Sequence, residues 1–291
     1  MAPQEYAENC EKTSASVQPN AKPMYYGPPP KVWGPDEKLE EREYLKGRLA
    51  LAFRIMGQYE YFVALAGHIT IRDPVDPTTF LMNPFGLHFS LMTKSDIVRV
   101  DHEGNVLDGG KPERNWVNRA GLLIHSAIHE ARPDVNAVVH SHATMSKAWC
   151  SLNATLPLLS QDGCAFYDSL AVDNTFSGVA LDPDEGRRIA SVLGDKPTAL
   201  LGNHGSVTCG KSVESAICYF IKLEKECEVA LTAYAAAAKP GAPQPKEIPD
   251  PVAKFTHHGP RADIAHYYNG LPYFDYAARA SKMSPGGPYD D

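Results

Sequence analysis

From Lys38 onward the chain alternates helical and strand-like hydrophobic patterning, broken by clusters of turn residues. In KLEEREYLKGRLALAFRIMGQY, Leu39, Tyr44, Leu45, Leu49, Leu51, Phe53 and Ile55 recur at spacings that wrap one face of a first long helix. The period then shortens. HITIR at 68–72, TFLMNP at 79–84 and DIVRVD at 96–101 are short apolar runs, and HEGNVLDGG at 102–110 is a turn, so this block predicts antiparallel strands and hairpins. A helix is expected over 117–131, stopped by Arg132-Pro133-Asp134 because proline cannot continue the ladder and restricts its predecessor. VNAVVHSHA at 135–143 follows as a strand. Asp182 as N-cap, Pro183 at the first helical position and Glu185 completing a capping box predict a helix to about Leu193, ending near Gly194. TALLGNHGSVTCG at 198–210 predicts a strand that leads through Ser212 and Val213 into a long helix of strong helix formers.

The flanks have a different character. Residues 1–37 are polar and then proline-punctuated, and are expected to form a disordered or loosely docked arm before a domain over 38–240. Residues 241–291 begin proline-rich and become aromatic, an extension expected to pack on the domain or on a neighbouring subunit. His257, His258 and Tyr267 in it are candidates to reach a neighbour's site.

Composition narrows the class. With 291 residues, 43% hydrophobic and 22% charged, the chain can bury a large core. A net charge of −7 without a basic block gives no attraction to nucleic acid or anionic membrane, which leaves a small molecule or a protein as the expected partner. No apolar run approaches the roughly 20 residues that cross a bilayer, and the N-terminus has no apolar leader, so a soluble cytoplasmic protein is expected. The six cysteines show no C-x-x-C pair and are expected to be reduced and mostly buried.

The chemistry concentrates in three histidines. On a strand alternate side chains share a face, so His140 and His142 in VVHSHA point the same way, as two ligands of one metal must. Taken alone, the pair would equally be core imidazoles bonded to backbone. His204 in LLGNHGSV sits between Gly202 and Gly205, where the backbone can approach closely. Three neutral nitrogens leave at least one coordination position open, the mark of a catalytic metal site.

HEARPDVNAVVHSHA, followed about sixty residues later by ALLGNHGSVTCGKSVESA, resembles the class II aldolase/adducin family, and the likeness extends through AGHITIRDP and FLMNPFGLHFSLMTKSDIVRVDHEGNVLDGG. The resemblance implies an α/β fold, a three-layer α/β/α sandwich with a largely antiparallel central sheet. It also implies a homotetramer with active sites between subunits, and zinc held by His140, His142 and His204. In the family's sugar-phosphate aldolases a glutamate nineteen positions before the first ligand moves protons. Here that position is Gly121, and no carboxylate stands nearby. The paired serines before it are replaced by Arg119 and Ala120, and the family's Gly-Asn turn reads Gly67-His68, while Gly86 remains at the substrate-anion loop.

Several residues are candidates to take over. His125 stands four residues after the altered position, as base or as support for the metal site, and His129 shares its helix face or caps the helix end as a cation. Asp162 and Tyr167 in SQDGCAFYD are further catalytic candidates, although turn chemistry explains Asp162 equally. Gly86, Arg119, His68 and His88 are candidates for substrate contact, the histidines having packing within the strand block as the alternative. The expected function is a divalent-metal lyase acting on a carbon–carbon bond of a non-phosphorylated carbonyl or carboxylate, with zinc first and iron second as cofactor. A non-haem iron oxygenase on the same histidines is the alternative, followed by an adducin-like protein without catalysis.

Overall fold

The computed structural model describes residues 28–178, 182–257, 262–283 and 287–291. What the sequence led us to expect of residues 1–27, including Cys10, and of His258 lies outside them. The described helices are α1 (Lys38–Gln58), α2 (Arg119–Ala131), α3 (Thr144–Cys150), α4 (Pro183–Leu193), α5 (Val213–Ala237), α6 (Asp250–Thr256) and α7 (Ala262–Ser281). The strands are β1 (His68–Arg72), β2 (Phe80–Met82), β3 (Val98–Val100), β4 (Val106–Gly109), β5 (Ala137–Ser141), β6 (Leu170–Asp173), β7 (Thr198–Leu201) and β8 (Gly205–Gly210).

They form one α/β structure around an eight-stranded sheet in the order β4-β3-β2-β1-β5-β8-β7-β6. Every neighbouring pair is antiparallel except β6 and β7. That parallel pair needs a crossover, and α4 supplies it. Alternation along β5 sends Val139 into a core shared with α1, α5 and α7, and Val138 into a second core beneath α2 and α4. His68 and Thr70 on β1 and His140 on β5 share the face of Val138, so α2 covers them.

Four expectations change at the level of elements, the first being that the run 102–110, read as a turn, carries β4 at Val106–Gly109. The second half of α1 is buried all round, from Leu49 to Gly57, instead of on one face. Its outer side is closed by Phe274 and Ala277 of α7 and by the turn at Phe89–Leu91, where a β-carbon on Gly57 would lie 2.4 Å from Ser90 Oγ. The run 198–210 is two antiparallel strands rather than one, with His204 in the turn between them. Asp182 does cap α4, accepting from Asp184 N at 2.9 Å, but Glu185 does not close a capping box. Its carboxylate takes Arg188 and Ser177 instead, since the guanidinium and hydroxyl offer stronger partners than the cap amide.

Cys150, Cys164, Cys209, Cys218 and Cys227 are free and buried. Among the described residues no helix is long and apolar enough to cross a membrane.

Candidate metal centre and active site

β5 brings His140 to the end of the sheet and His142 just past it. The turn between β7 and β8 presses His204 against them. That turn depends on local backbone: Asn203 adopts φ 55°, and a β-carbon at Gly205 would lie 2.5 Å from Ser141 O. The candidate ligand atoms of the three imidazoles lie within 4.8 Å of one another. His140 Nδ1 donates to Ser206 O at 3.0 Å, which leaves Nε2 as the lone-pair nitrogen.

Burial lowers the pKa of all three, with mutual repulsion adding for His140 and His142; His142 is lowered to about 4. The cluster is therefore neutral at physiological pH, as nitrogen ligands must be. Three uncharged imidazoles facing one point, one with its tautomer fixed by a backbone carbonyl, fit a divalent metal.

The centre opens on a cavity of about 270 Å³. Ala66, Ile124 and Phe176 form its apolar wall, and Asn118, Lys147 and Asn203 contribute polar groups. None of its lining residues is acidic. Asn118 caps α2, its Oδ1 accepting from Ala120 N at 3.1 Å, so the positive end of that helix also faces the space. Lys147, in the short α3, is the cation of the lining and has no acidic partner among the described residues.

The structure sorts the sequence candidates. His68 and Gly121 line this cavity beside the three histidines. A β-carbon on Gly121 would fall 2.2 Å from the His68 ring, so that space is already filled. His125 does not reach the lining. It is fully buried behind His68, with ring centroids 5.9 Å apart, and its Nδ1 is 2.8 Å from Thr70 Oγ1. His129, read as a helix-end cation, is instead buried at the same hydroxyl, and burial beside Arg72 pushes its pKa down to about 3.

Asp162 and Tyr167 lie away from the cavity. Asp162 is exposed and pairs with Lys222 Nζ at 2.9 Å, and Tyr167 donates to Asp250 at 3.2 Å. His88 accepts from Ser90 N and meets Phe62 edge-on. Gly86, at φ +82°, and Arg119, against Gly104, also stay outside the lining. His257 packs near Tyr167 and Ser169 rather than in the cavity.

Sequence reasoning missed Lys147, Asn118 and Asn203. A signal existed for the first: Lys147 follows His142 by five residues, close enough that one turn of helix returns it to the ligand end of the strand.

The description "Class II Aldolase and Adducin N-terminal domain" matches residues 47–231. "Decarboxylase NovR" of Streptomyces niveus is 39% identical over 233 residues, 80% of this chain and 82% of that protein. "4-hydroxy-3-prenylphenylpyruvate oxygenase/4-hydroxy-3-prenylbenzoate synthase" of Streptomyces roseochromogenus subsp. oscitans is 39% identical over 223 residues, 76% and 77% of the two chains. The solved structure "L-fuculose 1-phosphate aldolase from Glaciozyma antarctica PI12" superposes with TM-score 0.77 at 40% identity, covering 88% of this chain and 96% of that one. The three-histidine cluster, the largely antiparallel sheet between helical layers and these likenesses agree: the chain belongs to the class II aldolase/adducin family.

Proposed function

We propose that the protein is a divalent-metal-dependent lyase that makes or breaks a carbon–carbon bond, by aldol or decarboxylation chemistry, on a non-phosphorylated carbonyl or carboxylate substrate. The observation that carries this reading is the cavity itself, which joins three neutral imidazoles to one unpaired cation and no carboxylate. A divalent metal on His140, His142 and His204, zinc first and iron second, supplies a Lewis acid that polarises a carbonyl oxygen. Lys147 holds the substrate's carboxylate as a point charge, suited to one anionic group. Ala66, Ile124 and Phe176 offer an apolar surface on which an aromatic or aliphatic body packs. The name "Decarboxylase NovR" supports bond cleavage beside a carboxylate.

The second reading is an oxygenase with iron on the same histidines, favoured by the name of the second Streptomyces relative. Both readings take a cytoplasmic homo-oligomer, a tetramer in the first instance. The exposed Val63 and Leu65, in the segment leading to Ala66, and Phe176 at the cavity support subunit contact there.

The deciding experiment is elemental analysis of protein purified without added metal, with dioxygen uptake and product analysis on phenylpyruvate and related aromatic 2-oxo acids. Near-stoichiometric zinc, a carbon–carbon cleavage product and no dioxygen uptake are expected. Iron with substrate-triggered uptake transfers the assignment to the oxygenase. His142→Ala should lose at least 90% of the metal while remaining folded; stoichiometric metal in that variant removes the centre from the proposal.

A further inference from the structure

We infer that His68 is the residue through which the cavity recognises a substrate oxygen beside the metal centre, and that position 121 is glycine to make room for it. The inference rests on the reading above in taking a metal at the three histidines and a small carboxylic acid held at Lys147, but not on the bond that is cleaved.

The register of β1 and β5 pairs His68 directly with His140. Their rings are nearly parallel, at 11°, with centroids 6.1 Å apart. The His68 residue is 5% exposed, yet neither ring nitrogen has a hydrogen-bond partner among the described residues. The neighbouring imidazoles differ. His140 uses the Ser206 carbonyl, and His125 and His129 use Thr70, so each has at least one partnered nitrogen, although His125 Nε2 is also unpaired among the described residues. A buried polar group left unpaired carries a desolvation penalty that packing does not return, so an unpaired imidazole on a cavity wall points to a ligand.

Gly121 supplies the second, independent observation. In the first turn of α2, a β-carbon there would meet His68 Cε1 at 2.2 Å, Nδ1 at 2.3 Å and Nε2 at 2.6 Å. All three are ring atoms of a side chain packed between β5 and α2, so a β-carbon there can be admitted only by displacing the whole ring. Glycine weakens a helix relative to alanine, and here it admits the ring. His125, edge-on to His68 at 88°, backs the ring from behind and holds its orientation.

An imidazole offers one donor and one acceptor when neutral. That matches an oxo or hydroxyl oxygen on a molecule whose carboxylate lies at Lys147, that is, a 2-oxo or 2-hydroxy acid. The apolar wall of Ile124 and Phe176 then takes the remainder.

The test is calorimetric binding of phenylpyruvate and of 3-phenylpropionate, which lacks the oxo oxygen, to the metal-loaded protein in the cold and without dioxygen. The wild type should bind phenylpyruvate at least tenfold more tightly. His68→Ala should cut that preference below threefold, leave 3-phenylpropionate binding within twofold and leave the metal content unchanged. Gly121→Ala should lower the preference in the same direction by displacing the ring, and His68→Ala with Gly121→Ala should be no worse than His68→Ala alone. If His68→Ala does not fold, His68→Phe, which fills the space without a hydrogen bond, takes its place. Retained preference in these variants, no preference in the wild type, or loss of metal with the imidazole overturns the inference. Because binding is read without turnover, a protein that shows the preference but cleaves no carbon–carbon bond refutes the lyase reading alone.

Discussion

Thr70 serves two imidazoles with one hydroxyl: Oγ1 is 2.8 Å from both His125 Nδ1 and His129 Nε2. A hydroxyl carries a single hydrogen, so at most one of these nitrogens can accept from it and the other must donate. Burial holds both rings neutral, His125 well below its ordinary range and His129 at about 3. The unfolded chain protonates near the usual 6.5, so below that pH it binds protons that the native state refuses. The contribution is fully present above about pH 6.5 and is lost progressively as pH falls toward about 3, a direction shared by the lowered His68. The urea midpoint should therefore fall between pH 7 and pH 4.5, and fall less in His129→Phe. Equal pH dependence in the two proteins would show that His129 charges without penalty. The burial of His129 was legible but misread. Leu122, His125 and His129 recur at i, i+3 and i+7, the spacing of an inward stripe, whereas the adjacent Arg-Pro drew attention to the helix end.

Among the elements, α3 is seven residues long and too short to hold itself. Glu224 of α5, 2% exposed, anchors it by accepting from Met145 N at 3.1 Å and Ser146 N at 2.8 Å, which satisfies amides that a helix start leaves unpaired. Ser146 Oγ then meets Ser206 Oγ at 3.1 Å, and Ser206 O receives His140. One carboxylate thus sets the helix that follows His142 and presents Lys147. Glu224→Ala should reduce stability by about 2–3 kcal/mol, the scale of charge-assisted bonds lost at a buried site. It should also weaken metal binding on the order of tenfold or more in a chelator competition, with Glu224→Gln between the two. Unchanged metal affinity in a destabilised Glu224→Ala protein would confine its role to stability. Nothing in the sequence pointed to Glu224, because its partners are backbone amides some eighty residues away. The H-x-H strand was legible because both ligands obey one local period. Splitting 198–210 into two strands depended on Asn203 taking a left-handed turn, for which the flanking glycines were the available signal.

At the scale of the molecule, local patterns identified β1, β2, β3 and β5 and the helices α1, α2, α4 and α5, but not β4, β6 or the 20-residue α7, and long-range cover did not show. Leu49 to Gly57 read as part of an amphipathic helix because the surface that encloses them, Phe274 and Ala277, lies more than two hundred residues away. Separation in sequence also governs how the three histidines come together. His140 stands on β5 and His142 just past its end, while His204 lies in the turn before β8, the strand paired with β5, with α3, β6, α4 and β7 between them in sequence. Closing that long a loop is slow, and it must precede any meeting of the ligands. An ion bound by these histidines would therefore meet a finished sheet rather than guide the chain toward it. Refolding should proceed at the same rate in chelator as in metal, with the stabilisation expressed as slower unfolding. A faster refolding arm in metal would mean that β5 and β8 pair earlier than their separation implies. On this ordering a newly made chain completes its architecture first, and any metal it takes up would decide afterwards how long that architecture lasts.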